Sequence, residues 1–206
     1  MTGSGANGSR VPDTKRIMLV GTGAPAVAKF PDAVLALRHR LPAARIRLVL
    51  TPQAFQFVTP TAVTAVTGQK FFVDRWTEGP YDTAPHVEMA QWAEAVLVHP
   101  ATLNFIARLA SGLADTPLTL ALQCTDVPIV LAPSLPPGGV EGYAYRRHLA
   151  ALDDRPNITV AHPVRGPSMA TGRLCTGVPA PFESALDLLH EKLGEVPASA
   201  GTDQAH

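Results

Sequence analysis

Short apolar runs alternate with stretches of helical spacing along this chain, and that alternation restricts its fold more than any other feature. Five runs have the length and composition of buried strands: 16–20, 46–50, 95–98, 128–132 and 158–161. Each is followed by turn residues or by apolar residues at helical spacing. Strands that alternate with helices predict an α/β fold of three layers, in which a doubly wound, Rossmann-like (flavodoxin-like) parallel sheet lies between helices.

The spacing of apolar residues also predicts where the helices lie. We expect helices at 26–41, 103–114, 142–152 and 180–193, with a further helix starting at 52–57 and a helical segment at 118–123. Residues 68–85 contain two glycines and two prolines and predict no long element. Residues 87–94 are compatible with a short helix or with a loop.

Length and composition limit the class of protein. A chain of 206 residues, 46% of them hydrophobic, fits one globular domain with a full core. We expect that domain at 16–194, between flexible tails at 1–15 and 195–206 that are small and polar. The formal net charge is zero and no cluster of Lys and Arg is present, which argues against nucleic-acid binding and leaves association between copies unopposed.

No targeting, membrane or metal signal is visible in the sequence. No apolar run reaches the roughly 18 residues that a membrane span needs, and the first 15 residues lack the apolar segment of a signal peptide. We therefore predict a cytoplasmic protein without a membrane partner. Cys124 and Cys175 are far apart and form no C-x-x-C pair, so neither a zinc site nor a disulfide is expected.

Three turns follow predicted strands and would meet at one edge of the sheet. They are Gly21-Thr22-Gly23-Ala24, Thr51 and the segment Pro100-Ala101-Thr102-Leu103-Asn104. Glycines let a phosphate approach the backbone, and hydroxyls and helix amides can donate hydrogen bonds to it. The first turn is neither G-x-G-x-x-G nor a P-loop and by itself fits an ordinary tight turn equally well. Together, the three turns predict a mononucleotide site.

The segment from His86 to Asp115 resembles the homo-oligomeric flavin-containing cysteine decarboxylases. That family has a His before a Trp-Ala-Asp segment and a strand that ends in Pro-Ala-Ser/Thr-x-Asn. The corresponding residues here are His86, Trp92-Ala93-Glu94 and Pro100 to Asn104, and Gly112-x-x-Asp115 follows. The likeness covers roughly residues 16 to 190.

The resemblance implies FMN as the cofactor and an active site at the three turns. The residues expected to bind FMN are Gly21, Thr22, Gly23, Ala24, Thr51, Phe57, Pro100, Ala101 and Thr102. His86 would be the catalytic base and Asn104 a second essential polar group. From the residues alone, His86 fits a structural histidine in a loop, and Phe57 fits an ordinary core residue. A neutral imidazole can accept a thiol proton near physiological pH. His99 is the competing candidate.

The chain departs from the family pattern after the fourth predicted strand. Most members carry Pro-x-Met-Asn-x-x-Met-Trp, whose Asn holds the substrate carboxylate, but here Pro136 occupies the Asn position. A proline side chain makes no hydrogen bond, so Ser134, Arg146 or the next loop would have to substitute. Residues 168–175 resemble the family's mobile substrate clamp, which implies substrate contacts from Met169, Gly172 and Arg173. No role is carried over to Cys175.

The expected function is FMN-dependent oxidative decarboxylation of a peptide's C-terminal cysteine. His86 would remove the thiol proton, FMN would accept a hydride from Cβ, and the resulting thioaldehyde would lose CO2 to leave an enethiol. This product is the precursor of aminovinyl-cysteine in peptide natural products. The altered segment 133–140 and the absence of a fused ligase domain favour a ribosomally made precursor peptide that ends in Cys as the substrate, rather than a coenzyme A precursor.

Two alternatives and one quaternary expectation accompany this prediction. The chain could instead act like a phosphopantothenoylcysteine decarboxylase, or be a non-catalytic FMN-binding regulatory subunit, for which the missing Asn is the main indication. A flavin prenyltransferase of the same fold would need an Arg- and Tyr-rich site that we do not see. The resemblance also implies a homo-oligomer built on trimers, and specifically a dodecamer.

Overall fold

Six parallel strands form the central sheet of a computed structural model that describes residues 15–78, 80–169 and 171–195. The strands are β1 (Arg16–Gly21), β2 (Arg45–Leu50), β3 (Phe71–Val73), β4 (Ala95–Thr102), β5 (Ile129–Ser134) and β6 (Ile158–Val160). Their order across the sheet is β3-β2-β1-β4-β5-β6. The predicted tails lie almost wholly outside the described residues.

Within residues 15–195, as far as they are described, seven α-helices connect and cover the strands. They are α1 (Phe30–Arg40), α2 (Pro60–Thr67), α3 (Pro85–Trp92), α4 (Leu103–Ala110), α5 (Pro117–Gln123), α6 (Tyr143–Asp153) and α7 (Phe182–Glu195). Two short 3-10 helices, Pro25–Lys29 and Pro52–Gln56, follow β1 and β2. A separate antiparallel hairpin consists of β7 (Val164–Pro167) and β8 (Leu174–Val178). In the described residues, no helix is long and apolar enough to cross a membrane.

The sheet is buried on both faces, which explains its continuous apolar runs. In β1, Ile17 and Leu19 pack in the core beneath α1, α2 and α7, whereas Met18 and Val20 pack in the core beneath α3 to α6. All four side chains are at most 1% exposed. Successive side chains of a strand point to opposite faces, so a two-sided core requires an apolar residue at every position. The predicted three-layer, doubly wound α/β fold is confirmed.

The order of the strands places a crevice between β1 and β4. From β1 the chain moves outward through β2 to β3, then returns to place β4 on the other side of β1 and continues to β5 and β6. The connections at the carboxyl ends of β1 and β4 therefore leave in opposite directions. In open α/β sheets this switch point is where ligands bind.

Four elements differ from the sequence prediction or were absent from it. Helix α2 begins at Pro60, which suits the first position of a helix, and Thr59 caps it by accepting a hydrogen bond from the Ala62 amide. Strand β3 has only three residues and depends on pairing with β2. His86 lies in the first turn of α3 and not in a loop. The segment predicted as a clamp loop, 168–175, ends in the first two residues of β8, which pairs with β7.

Candidate cofactor and substrate site

A cavity of about 660 Å³ opens at the carboxyl edge of the sheet. Its wall includes the turn after β1, the ends of β4 and β5, the β7–β8 hairpin and the start of α7. Six of the residues predicted from the sequence line it: Gly23, Ala24, Thr102, Asn104, Ser134 and Met169. The size matches the range of small-molecule and cofactor sites. The switch point of the sheet is therefore also a cavity.

The first turn needs glycine at two positions for steric reasons. A Cβ atom at Gly23 would lie 2.4 Å from Cβ of Gln53, in the 3-10 helix that follows β2. A Cβ atom at Gly21 would lie 2.7–2.8 Å from side-chain atoms of Leu50, Phe30 and Val27. Gly21 thus allows packing against the core, whereas Gly23 allows the turns after β1 and β2 to touch.

Thr22 joins the turn after β1 to the end of β4. Its hydroxyl donates to the carbonyl oxygen of Pro100 at 2.8 Å and accepts from the amide of Thr102 at 2.9 Å. The Thr22 amide also donates to the Pro100 carbonyl, at 3.2 Å. Thr22 is 1% exposed and does not line the cavity. Its hydroxyl proton is already donated to Pro100, so Thr22 connects the two turns and has no hydroxyl proton left for a ligand.

Thr102 and Asn104 lie at the start of α4 and line the cavity. The Thr102 hydroxyl caps this helix by accepting a hydrogen bond from the Phe105 amide at 3.2 Å. Its own proton is left for another acceptor, because a hydroxyl donates as well as accepts. Asn104 is exposed and can both donate and accept through its amide. Pro100 and Ala101 are buried in the strand and do not line the cavity.

The turn after β2 holds two further predicted FMN contacts, and neither lines the cavity of the single chain. The Thr51 side chain is 5% exposed, and its Oγ1 atom is buried without a hydrogen-bond partner in the described part of the protein. Such a hydroxyl is costly unless another group satisfies it. Phe57 is 40% exposed, so its reading as an ordinary core residue is wrong.

His99 is the histidine that lines the cavity. Its Nε2 atom lies 2.9 Å from the carbonyl oxygen of Ala180, and its ring meets the Phe182 ring edge to face with the centroids 5.3 Å apart. Burial lowers the pKa of His99, although hydrogen bonds to backbone carbonyls oppose this effect. A carbonyl oxygen only accepts, so the neutral imidazole carries its proton on Nε2. His99 thereby ties β4 to the start of α7.

His86, the predicted base, does not line the cavity of its own chain. It lies at the N-terminal end of α3, which packs on the face of the sheet opposite α1 and α7. Its Nδ1 atom is buried and has no hydrogen-bond partner among the described residues. Its ring meets the indole of Trp76, with centroids 5.8 Å apart and planes at 70°. The structure thus brings Asn104, but not His86, to the cavity of a single chain.

The predicted substrate contacts divide in the same way. Ser134 and Met169 line the cavity, as do Pro136 and Cys175. Gly172 and Arg173 lie in the turn between β7 and β8, are exposed and do not line it. Gly172 has a φ of +68°, which favours glycine and turns the chain back toward β8. The family pattern has Asn at position 136. Here Pro136 forms this part of the cavity wall, and its side chain has no amide group.

Two parts of the wall were missed by the sequence prediction. Lys29 ends the 3-10 helix that follows the glycine turn, and residues 179–183 precede and begin α7. A cation shortly after a glycine turn was the available signal for Lys29. No sequence pattern marked residues 179–183 as part of a site, because they reach the cavity only when α7 packs beside β4 in the folded protein.

Comparison with known proteins agrees with this geometry. Residues 6–194 match the Flavoprotein family. The chain is 34% identical over 147 residues to the cypemycin cysteine dehydrogenase (decarboxylating) of a Streptomyces species, covering 70% of this chain and 75% of that protein. It is 36% identical over 121 residues to the coenzyme A biosynthesis bifunctional protein CoaBC of Haemophilus influenzae, covering 59% of this chain and 30% of that protein. The chain spans about a third of the length of the bifunctional relatives it matches.

Solved structures extend the likeness over most of the chain. The FMN-dependent cysteine decarboxylase SpaF superposes with a TM-score of 0.74 at 27% identity, covering 87% of this chain and 97% of that one. The cypemycin decarboxylase CypD superposes with a TM-score of 0.69 at 28% identity, covering 89% and 96%. With the family match and the cypemycin relative, these likenesses establish that the chain belongs to the flavoprotein family, in its group of flavin-containing cysteine decarboxylases.

Proposed function

We propose that this protein oxidatively decarboxylates the C-terminal cysteine of a ribosomally made precursor peptide, with FMN as its cofactor. The observation that carries the proposal is the cavity at the β1/β4 switch point, lined by Thr102, Asn104 and Ser134 in a chain related to the cypemycin enzyme. The name of the cypemycin relative includes decarboxylation of cysteine, and this chain covers three quarters of that protein's length.

The residues at the switch point fit a flavin mononucleotide. Gly23 lets the turns after β1 and β2 come together, Thr102 has a hydroxyl proton that no described residue accepts, and Thr51 has a buried hydroxyl without a partner in the described chain. Hydroxyls and the N-terminus of a helix are suitable donors for a phosphate. We infer that these three turns hold the phosphate and that the isoalloxazine lies toward Asn104.

The protein's own share of the reaction is binding, orientation and proton transfer. When bound, FMN would supply the two-electron oxidation of the cysteine. His86 would hold the proton removed from the thiol, and Asn104 would orient the reacting cysteine by hydrogen bonds. Loss of CO2 from the oxidised residue then leaves an enethiol. Because precursor peptides are made in the cytoplasm, the proposed substrate also implies a cytoplasmic reaction.

We propose further that His86 acts in the cavity of a second copy of the chain. Because His86 does not line its own chain's cavity, a site that needs both His86 and Asn104 requires two subunits. This agrees with a homo-oligomer built on trimers, for which the dodecamer is our specific expectation. Light scattering that returns the chain mass of 21.7 kDa would contradict this part of the proposal.

A mixing experiment tests the shared site directly. The variants His86→Asn and Asn104→Ala should each be inactive alone, but co-expressed chains should recover part of the activity, since some interfaces then combine an intact His86 with an intact Asn104. As a control, parent chains co-expressed with either variant should remain active. If this control is active but the mixture of the two variants is inactive, His86 and Asn104 do not meet across an interface.

A regulatory subunit is the second candidate, because Pro136 lines the cavity where a carboxylate-binding Asn would be expected. The distinguishing experiment incubates the purified FMN-loaded protein with a peptide that ends in Cys and follows its mass. Loss of CO2 plus two hydrogens from the peptide supports the peptide decarboxylase. Loss of CO2 alone, and only from 4′-phosphopantothenoylcysteine, supports a coenzyme A-type enzyme, in which the reduced flavin returns its electrons to the enethiol. Bound FMN with neither product would support the regulatory subunit.

A further inference from the structure

Within the described chain, ring packing and not a hydrogen bond at the buried nitrogen holds the imidazole of His86. Nδ1 is buried without a partner in the described chain, and the aromatic neighbour of the ring is Trp76. Catalytic histidines are commonly oriented by a hydrogen bond to one ring nitrogen, which leaves the other for the substrate. At His86 the contact with the indole takes the place of that hydrogen bond.

Trp76 is itself fixed from the neighbouring α4–α5 connection. Its indole N–H donates to the carbonyl oxygen of Asp115 at 3.0 Å. The side chain of Asp115 accepts a hydrogen bond of 2.9 Å from Nε of Arg108. On Trp76, the Tyr81 ring adds a second edge contact with centroids 6.5 Å apart. An indole that is 43% exposed is therefore held at its nitrogen and by two ring neighbours.

The chain that leads to Trp76 is anchored by a buried carboxylate. Asp74 is 1% exposed and accepts hydrogen bonds from the Thr116 hydroxyl and the Leu118 amide, both at 2.9 Å. Trp76 thus binds the α4–α5 connection at Asp115, and Asp74 binds it at Thr116 and also binds Leu118 in the first turn of α5. The ionisable groups around this segment are Asp74, Asp115 and Arg108, and burial raises the pKa of Asp74.

We propose that Trp76 is a positioning residue for His86: it fixes the plane of the imidazole so that Nε2, and not Nδ1, faces the substrate. The proposal rests on the proposed function in one respect, which is that His86 acts as the base. Trp76 does not line the cavity, so its effect on the reaction would pass through its contact with His86. An edge-to-face aromatic pair of this kind corresponds to a change of about tenfold in an equilibrium or rate.

The second tryptophan of the chain provides a matched control. Trp92 lies on the same helix as His86, but its ring stacks under the guanidinium of Arg47, 4.4 Å away. We expect Trp76→Leu to lower kcat for peptide decarboxylation about tenfold and to displace the pKa seen in its pH profile, with KM and FMN content unchanged. Trp76→Phe keeps a ring beside His86 and should recover most of kcat, and Trp92→Leu should match the parent.

Two results would overturn the proposal. One is a Trp76→Leu protein with the kcat and pH profile of Trp92→Leu. The other is a parallel loss of activity and of either bound FMN or the oligomeric state in both Trp76→Leu and Trp76→Phe. That pattern would show that Trp76 supports the structure and does not position His86.

If the parent protein has no decarboxylase activity, the proposed function fails. The contact between Trp76 and His86 can then still be tested by fluorescence. In the Trp92→Phe protein, Trp76 is the only indole, and contact with an imidazole ring changes its emission. The emission of Trp92→Phe/His86→Asn should therefore differ in intensity from that of Trp92→Phe, whereas the emission of Trp92→Phe/His190→Asn should match it. Equal emission with and without His86 would refute the contact.

Discussion

The hydroxyl of Thr22 donates a hydrogen bond to the carbonyl oxygen of Pro100 at 2.8 Å, across 78 residues of sequence. The same oxygen atom of Thr22 accepts from the Thr102 amide, so one buried side chain satisfies two backbone groups at the end of β4. This pair closes the switch point of the sheet. It sets the spacing between the first turn and the third, on which the proposed phosphate site depends.

Replacing Thr22 by Val should therefore reduce stability more than most buried Thr substitutions. The variant keeps the shape of the side chain but leaves the Thr102 amide without its partner and the Pro100 carbonyl with only the Thr22 amide, which costs about 1–3 kcal/mol in the free energy of unfolding. Urea unfolding of the FMN-free protein measures this loss. Thr64→Val, at an exposed helical position, is the control and should change the free energy by less than about 0.5 kcal/mol.

Replacing Gly23 by Ala should weaken FMN binding. The new Cβ atom would overlap Cβ of Gln53 at 2.4 Å, so the turn after β1 must move away from the turn after β2. We expect the FMN dissociation constant, measured by flavin fluorescence, to rise at least about tenfold, which corresponds to about 1.4 kcal/mol. Gly194→Ala on α7, where no atom lies within 4 Å of the added methyl, should leave FMN binding unchanged. Equal affinity in both variants would remove Gly23 from the phosphate site.

Replacing Thr51 by Val separates binding from folding. Because the Thr51 hydroxyl has no partner in the described chain, its removal should leave the FMN-free protein as stable as the parent or slightly more stable. If the hydroxyl instead binds the FMN phosphate, the affinity for FMN should fall by about tenfold or more. Thr67→Val is the matched control, since Thr67 is equally buried but donates to the Val63 carbonyl. A Thr51→Val protein with the FMN affinity of the parent would argue against a phosphate contact.

Replacing His86 by Asn should abolish decarboxylation without releasing FMN. Loss of a general base typically lowers the rate by about 10²–10⁴, whereas loss of a structural histidine would reduce stability and flavin content. Single-turnover mass spectrometry and flavin absorbance measure the two effects separately. His190→Asn, at an exposed position of α7, should have no effect. A yellow, folded and fully active His86→Asn protein would direct attention to His99, whose ring lines the cavity.

His99 should make the protein less stable in mild acid. Burial holds the pKa of His99 below its ordinary value of 6.5, so between 6.5 and the lowered value the unfolded chain binds more protons than the folded chain. Stability is then complete above about pH 6.5 and falls as the pH drops through this window. Urea unfolding at about pH 7.5 and about pH 5 should show a smaller loss for His99→Gln than for the parent. The same loss in both proteins would contradict this assignment.

The predicted strands and turns were close to the observed ones where burial alone decides the structure. β1, β2, β4, β5 and β6 all overlap the apolar runs found in the sequence, because strands covered on both faces must be apolar throughout. β3 escaped prediction because its three residues gain their stability from pairing with β2. Helix α2 escaped because Pro60 looks like a helix breaker unless its position in the first turn is known.

The chain's local chemistry determined the fold class, the glycine and threonine turns and the group of relatives, since each depends on residues that are neighbours in sequence. Only the tertiary structure decided which of the candidate residues meet. It brought Asn104, Ser134 and Met169 to one cavity and used Thr22 as a connector. It left His86 outside its own chain's cavity and paired it with Trp76. These outcomes depend on contacts between segments distant in the chain, and the energies of such contacts are set by three-dimensional packing that no local pattern records.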